Sequence, residues 1–215
     1  MGSLSSSTMP VDAVWATIDR ERLDLADLLA DLARAEWEHP SLAEGWRVRD
    51  VAAHLALAHT GAGRAALDLI RAGGRMPRMI HDAAVRHAEL PPERLVEQIR
   101  AMAGSRRKVP GLSPLEPLLD VLVHGQDIAV PLGRPRAMPV DAAAAAATRV
   151  WTMRWPMSAT FPRVAGVRLV ACDTDWAVGD GELVEGPVQA LLMVLTGRTA
   201  AVRDQLAGPG AARLA

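Results

Sequence analysis

From Pro10 to Val130 apolar residues recur at helical spacing, and proline or glycine cuts almost every run. A chain patterned this way buries its apolar stripes by packing helix on helix. Trp15, Ile18, Leu25, Leu28, Leu29 and Leu32 define a long amphipathic helix over 10–34. Pro10 stands near its start, where a missing N–H does no harm. Glu38-His39-Pro40-Ser41 breaks that helix, and Gly45 marks a turn. A second helix is predicted over 48–72, carrying His54, Leu55, Leu57, Leu67 and Ile70 and stopped by Gly73-Gly74. The stretch 75–90 reads as a shorter helix. Pro91-Pro92 opens another over 93–105, with Leu95, Ile99 and Met102 on one face. Ser113-Pro114-Leu115-Glu116 reads as a capping box with proline at the first helical position, although Pro117 lacks a donor in that turn. The helix it opens should run to Val130, where Pro131 and Gly133 end it. Four or five helices of this kind predict an antiparallel bundle over 10–133.

The pattern then changes. Residues 134–139 read as a linker, and Val140 to Arg154 as an alanine-rich helix. Val167-Arg168-Leu169-Val170-Ala171-Cys172 is short and rich in β-formers, and Trp176-Ala177-Val178 and Glu182-Leu183-Val184 follow it. Asp180-Gly181 between the last two is a turn signal. Gly186-Pro187 opens an apolar helix over 188–196 that ends at Gly197. The fold class expected is therefore mainly α: a helical bundle over 10–133, followed by a small α+β domain over 134–215. There is no internal repeat and no heptad seam.

Composition narrows the function. Half of the 215 residues are hydrophobic and the formal net charge is -1, which gives no reason to expect nucleic acid as a partner. No run is long and apolar enough to suggest a membrane span, and no signal peptide is seen. Cys172 is the only cysteine. An intrachain disulfide is thus excluded, and the reducing cytoplasm is the expected compartment. Met1 to Thr8 is serine-rich and reads as disordered.

Chemistry concentrates at two histidines, each four residues after an acid: Asp50/His54 and Asp120/His124. Residues i and i+4 share a helix face, so Asp120 and His124 can point at one spot. His54 from another helix would complete a three-ligand metal site with an open position. Spacing alone leaves plainer readings open: an ion pair for Asp120 and His124, and a hydrogen bond to Asp50 for His54. Against them stand the apolar neighbours, Leu118, Leu119, Val121, Leu122 and Val123 around one pair and Val51, Ala52, Ala53 and Leu55 around the other. Polar groups buried there need a partner, and a shared metal would satisfy all three. No dinucleotide fingerprint, P-loop, Cys-x-x-Cys or nucleophile elbow is present, and Gly61-Ala62-Gly63-Arg64 falls within a helical pattern.

The stretch Ser41-Leu42-Ala43-Glu44-Gly45-Trp46-Arg47-Val48-Arg49-Asp50-Val51-Ala52-Ala53-His54 resembles the opening signature of the mycothiol-dependent maleylpyruvate isomerase family, of the DinB/YfiT-like helical-bundle superfamily. Leu122-Val123-His124-Gly125-Gln126-Asp127-Ile128-Ala129 is similar to its second signature. The tail from Gly186 to Arg198 resembles the family's sterol-carrier-like C-terminal domain. The resemblance implies a divalent metal, zinc foremost, held by His54, Asp120 and His124. It also implies mycothiol as thiol cosubstrate, a small-molecule electrophile as substrate, and a functional arginine that maps to Arg198. A thiol at an open zinc position is deprotonated near neutral pH. Its thiolate would attack an electrophilic carbon and leave after bond rotation (isomerisation) or stay attached (S-transfer). Two positions depart from the pattern: the second ligand is often glutamate, here Asp120, and Arg47 replaces a hydroxyl residue, so that a helix cap should be lost.

Asp127 reads either as a carboxylate orienting a ligand histidine or as a plain helix-end acid, and Asp50 could orient His54 in the same way. Arg198 has a plainer reading too, as a helix C-terminal arginine facing the dipole. Arg86 is a weaker anion-binding candidate and Trp46 a core aromatic near the site. Cys172 should be a buried strand residue, and His39, His59, His81 and His87 surface or loop residues. Alternative activities are a hydrolase using metal-bound water and a non-catalytic small-molecule binding protein.

Overall fold

The computed structural model describes residues 9–59, 62–108, 111–134, 136–153 and 164–214. The serine-rich start, Gly61, Pro135 and Arg154 lie outside that set. The chain divides into two units, Trp15–Arg136 and Ala137–Ala215, the second grouped with the residues up to Val14.

Among the described residues the first unit is helical. Its elements are α1 (Val11–Ala30), α2 (Arg34–Trp37), α3 (Val48–Ala56), α4 (Ala62–Arg71), α5 (Met76–His87), α6 (Pro92–Ala101) and α7 (Leu115–Ala129). α3 takes the middle and packs against α5, α6 and α7. Val48, Val51, Ala52 and Leu55 of α3 share one core with Leu25 and Leu29 of α1, Leu95 and Ile99 of α6, and Val121 and Ile128 of α7. A buried ion pair closes the unit: Arg136, just past α7, meets Glu21 of α1 at 2.6 Å. Gly125 makes room for it, since a Cβ there would stand 2.7 Å from Arg136 Nε.

Three helix predictions need correction. The helix expected over 10–34 ends at Ala30, and α2 forms separately. The Glu36 carboxylate accepts the Ala33 N–H at 2.7 Å, capping α2, and the new turn carries Trp37 into the core. The helix expected over 48–72 is two helices, with α3 running into a 3-10 turn at Leu57–His59. The sequence carries glycine at positions 61 and 63, and glycine disfavours helix by about 1 kcal/mol relative to alanine. α4 is also turned against its apolar pattern. Asp68 is buried, taking Arg86 at 2.8 Å and Arg71 at 3.3 Å, while Leu67 and Ile70 are 46% and 75% exposed. Finally, α7 begins one residue later than predicted, with Pro114 just outside and Ser113 Oγ accepting the Leu115 N–H at 3.1 Å.

The second unit contains α8 (Val140–Thr152), β1 (Val167–Ala171), β2 (Ala177–Gly179), β3 (Glu182–Gly186), α9 (Val188–Leu195) and α10 (Thr199–Val202). β1 is central, antiparallel to β2 and parallel to β3. Asp180-Gly181 therefore does not close a hairpin; it carries the chain past the start of β1 from one edge of the sheet to the other. The passage is tight. Gly179 and Gly181 have φ of 83° and 130°, and a Cβ would fall 2.5 Å from the Val167 carbonyl oxygen or 2.2 Å from that of Gly166. α9 is buried at Val188 and throughout 190–195, and it packs on α8, whose six consecutive buried alanines, 142–147, allow a close approach. Asp173 Oδ1 accepts the Val188 N–H at 2.9 Å and caps α9. Cys172, expected to be buried, lies just beyond β1 and is exposed. No helix among the described residues is long and apolar enough to cross a membrane.

Candidate metal centre

The loop between α2 and α3 sets the site's wall. Ser41 N–H and Oγ both donate to the Trp46 carbonyl, each at 2.9 Å, and Val48 N–H donates to His39 O at 2.9 Å. Gly45, at φ 77°, turns the chain between them. Leu42 N–H donates to the Asp127 carbonyl at 3.1 Å, which ties this loop to α7.

α3 and α7 then bring three side chains together. One ligand atom from each of His54, Asp120 and His124 lies within 4.8 Å of the other two. Asp120 Oδ1 is 3.3 Å from His54 Nε2 and 3.5 Å from His124 Nε2. The imidazoles meet edge to face, with centroids 4.9 Å apart. All three side chains keep some solvent exposure: 21% for His54, 34% for Asp120 and 18% for His124. Behind His124, Nδ1 donates to Asp127 Oδ2 at 2.8 Å, leaving the Nε2 lone pair toward Asp120. Burial opposes the Asp120 charge, yet His54, His124 and the more distant Arg22 hold its carboxyl at about 2. Burial likewise acts to lower His54, but Asp120 and, more weakly, Asp127 outweigh it and raise its pKa above the ordinary imidazole value.

Trp46 is a wall of this site. It stacks on His124 at 6.3 Å between centroids and lies 5.3 Å from His54 and 6.2 Å from His81. His81 of α5, read from sequence as a surface residue without a pattern, thus borders the same ring. His87 is also partnered, with its Nε2 2.7 Å from Gln98 Oε1.

Asp50 does not orient His54. It accepts from Arg47 Nε and Nη2, both at 2.9 Å, and from the Arg47 N–H at 2.9 Å. The hydroxyl cap is indeed absent at Arg47, but Asp50 three residues on caps the helix from within, and the arginine clamps it there. Arg86 is committed to Asp68. Arg198 belongs to the other unit. It follows the glycine turn that ends α9, its N–H donating to Met193 O at 2.8 Å and its guanidinium to the Thr196 carbonyl.

The sequence reading passed over Arg22, which lines a small cavity with Asp120. The signal was available: Arg22 falls on the stripe of Trp15, Ile18, Leu25 and Leu29, where a charge is out of place.

A helical unit that converges two imidazoles and a carboxylate, followed by a small unit with a three-stranded sheet, defines the class of protein. Residues 18–117 match the family model for the mycothiol maleylpyruvate isomerase N-terminal domain. His54 lies within it; Asp120 and His124 follow on the helix that begins inside it. Two solved structures share the fold. One is a crystal structure of the mycothiol-dependent maleylpyruvate isomerase, 16% identical, with a TM-score of 0.64 and 94% of each chain covered. The other, of a histidine-to-alanine mutant of the enzyme so named, is 15% identical with a TM-score of 0.65 and the same coverage. No curated protein matches the chain.

Proposed function

We propose that the chain is an enzyme that uses a low-molecular-weight thiol, mycothiol, to act on an electrophilic small molecule. In this reading His54, Asp120 and His124 hold a divalent metal, zinc foremost. The observation that carries it is the convergence of these three donors in a unit whose matched stretch is the family's N-terminal domain. The donor set fits such a cation. Ligands at roughly 2.0–2.1 Å from a tetrahedral ion stand about 3.3 Å from one another. Asp120 Oδ1 lies 3.3 Å and 3.5 Å from the two imidazole nitrogens.

When bound, the cation would lower the pKa of a thiol at its open position, making thiolate available near neutral pH. The chain's own residues supply the rest. Asp127 fixes the His124 tautomer, and Trp46 shields the two imidazoles from water on one side. No cysteine of the chain is required. The thiolate adds to one carbon of a conjugated double bond in an unsaturated acid, and the π electrons move onto the activating carbonyl. The resulting single bond rotates, and expulsion of the same thiolate restores the double bond in the other geometry. Protonation of the adduct instead gives the S-transfer product. Arg198 is proposed to pair with a substrate carboxylate through its planar fork. The proposed compartment is the cytoplasm.

Metal analysis of untreated protein, with mycothiol binding measured by calorimetry before and after chelation, tests this. Stoichiometric zinc and thiol binding lost on chelation support the reading. Thiol binding that survives full metal removal overturns the metal's part. Turnover by hydrolysis in the absence of thiol would replace the thiol with water.

A further inference from the structure

α1 carries a charge where its stripe calls for an apolar residue. Ile18, Leu25 and Leu29 are fully buried, and Arg22 among them is only 4% exposed. Its Nη1 donates to the Met102 carbonyl at 3.1 Å, at the end of α6. One carbonyl bond does not account for burying a full charge, which demands a counter-ion. Two carboxylates favour the Arg22 charge, that of Asp19 first and that of Asp120 second. Asp19 is already engaged, by the Gly104 N–H at 2.9 Å and by Arg106 at 2.7 Å. Asp120 instead shares with Arg22 a cavity of about 20 Å³, lined also by Leu25, Leu55 and Val121, with room for a single water.

Resting on the metal reading above, we propose that Arg22 is a positioning residue, standing behind Asp120 and holding that carboxylate toward His54 and His124. An aspartate has only two side-chain torsions with which to reach two imidazoles at once. A fixed cation behind it removes the freedom to turn away and offsets part of its charge. Arg22 would act on the metal through Asp120 without touching it.

The experiment measures zinc affinity of the full chain by competition with a chromophoric chelator, for the parent, Arg22→Gln and Arg22→Lys. Glutamine keeps a donor for the Met102 carbonyl and removes the charge; lysine keeps the charge. Arg22→Gln should weaken zinc binding about 10- to 100-fold, the range seen when a group orienting a ligand is lost. Arg22→Lys should recover most of that loss. The visible spectrum of the cobalt-substituted protein should change in Arg22→Gln and return toward the parent's in Arg22→Lys. A role confined to ending α6 predicts instead a lower melting temperature of the metal-free protein with zinc affinity unchanged, and that result overturns the proposal. Zinc bound equally by the parent and by Arg22→Gln sinks only the role of Arg22. A parent that binds no zinc sinks the metal reading and this inference with it.

Discussion

His124 Nδ1 lies 2.8 Å from Asp127 Oδ2, and the Asp127 side chain has no exposed surface. A buried carboxylate at that distance fixes both the tautomer and the plane of the ring. Asp127→Ala should therefore lower zinc affinity by roughly 10- to 100-fold. Asp127→Asn, which retains an acceptor, should do less harm. Competition titration distinguishes the two, and equal affinity in all three proteins would contradict the orienting role.

His54→Ala and His124→Ala should each remove most of the metal, because two remaining donors make a poor site. Elemental analysis of the purified variants checks this. Stoichiometric zinc in both would rule out the assigned ligands.

Zinc affinity should rise with pH through the raised pKa of His54, since only the neutral ring can bind. Protonated His54 has the opposite effect on the metal-free fold. Its stabilisation is complete below the ordinary histidine value and lost as pH rises through the raised one. Asp120, held at about 2, stays ionised and adds no slope near neutrality. Zinc dissociation constants between roughly pH 5 and pH 8 should fall by about tenfold per unit at the acid end for each proton displaced. A flat profile would remove His54 from the ligand set.

Arg198→Ala should lower kcat/KM for a carboxylate substrate while leaving metal content at the parent level. The bond from its guanidinium to the Thr196 carbonyl would also be lost, at about 1 kcal/mol of stability. Kinetics indistinguishable from the parent would reduce Arg198 to a helix-end residue.

Gly181→Ala should destabilise the second unit by about 2 kcal/mol or more, through a positive φ and a collision with Gly166 that involves backbone rather than a movable side chain. Thermal unfolding is the measurement. A melting temperature equal to the parent's would mean that the strands can separate there without penalty.

Much of this fold is legible in the sequence because helix periodicity and proline-glycine punctuation are local signals. α6, α7, α8, α9 and the three short strands all fall close to where their patterns place them. α4 was misread because its stripe is inverted: the buried member is Asp68, and the arginines that satisfy it lie at positions 71 and 86. Asp180-Gly181 is legible as a turn, but its route is not, because a two-residue turn looks the same whether it closes a hairpin or crosses the end of a third strand. At the site, the i,i+4 spacing places Asp120 and His124 on one face, but no local pattern states that α3 delivers His54 to the same point. Asp50 shows the reverse failure. Its spacing to His54 is right, yet Arg47 three residues earlier offers a bidentate partner and takes it.

The proposed ligands His54 of α3 and Asp120 of α7 stand 66 positions apart along the chain. An ion gripped by both would work as a reversible cross-link, closing a long loop that the unfolded polypeptide must otherwise pay entropy to close. Free zinc at a thousand times its dissociation constant would add about 4 kcal/mol to the folding equilibrium. The abundance of the folded molecule would then track the supply of the ion, independently of any reaction that it performs.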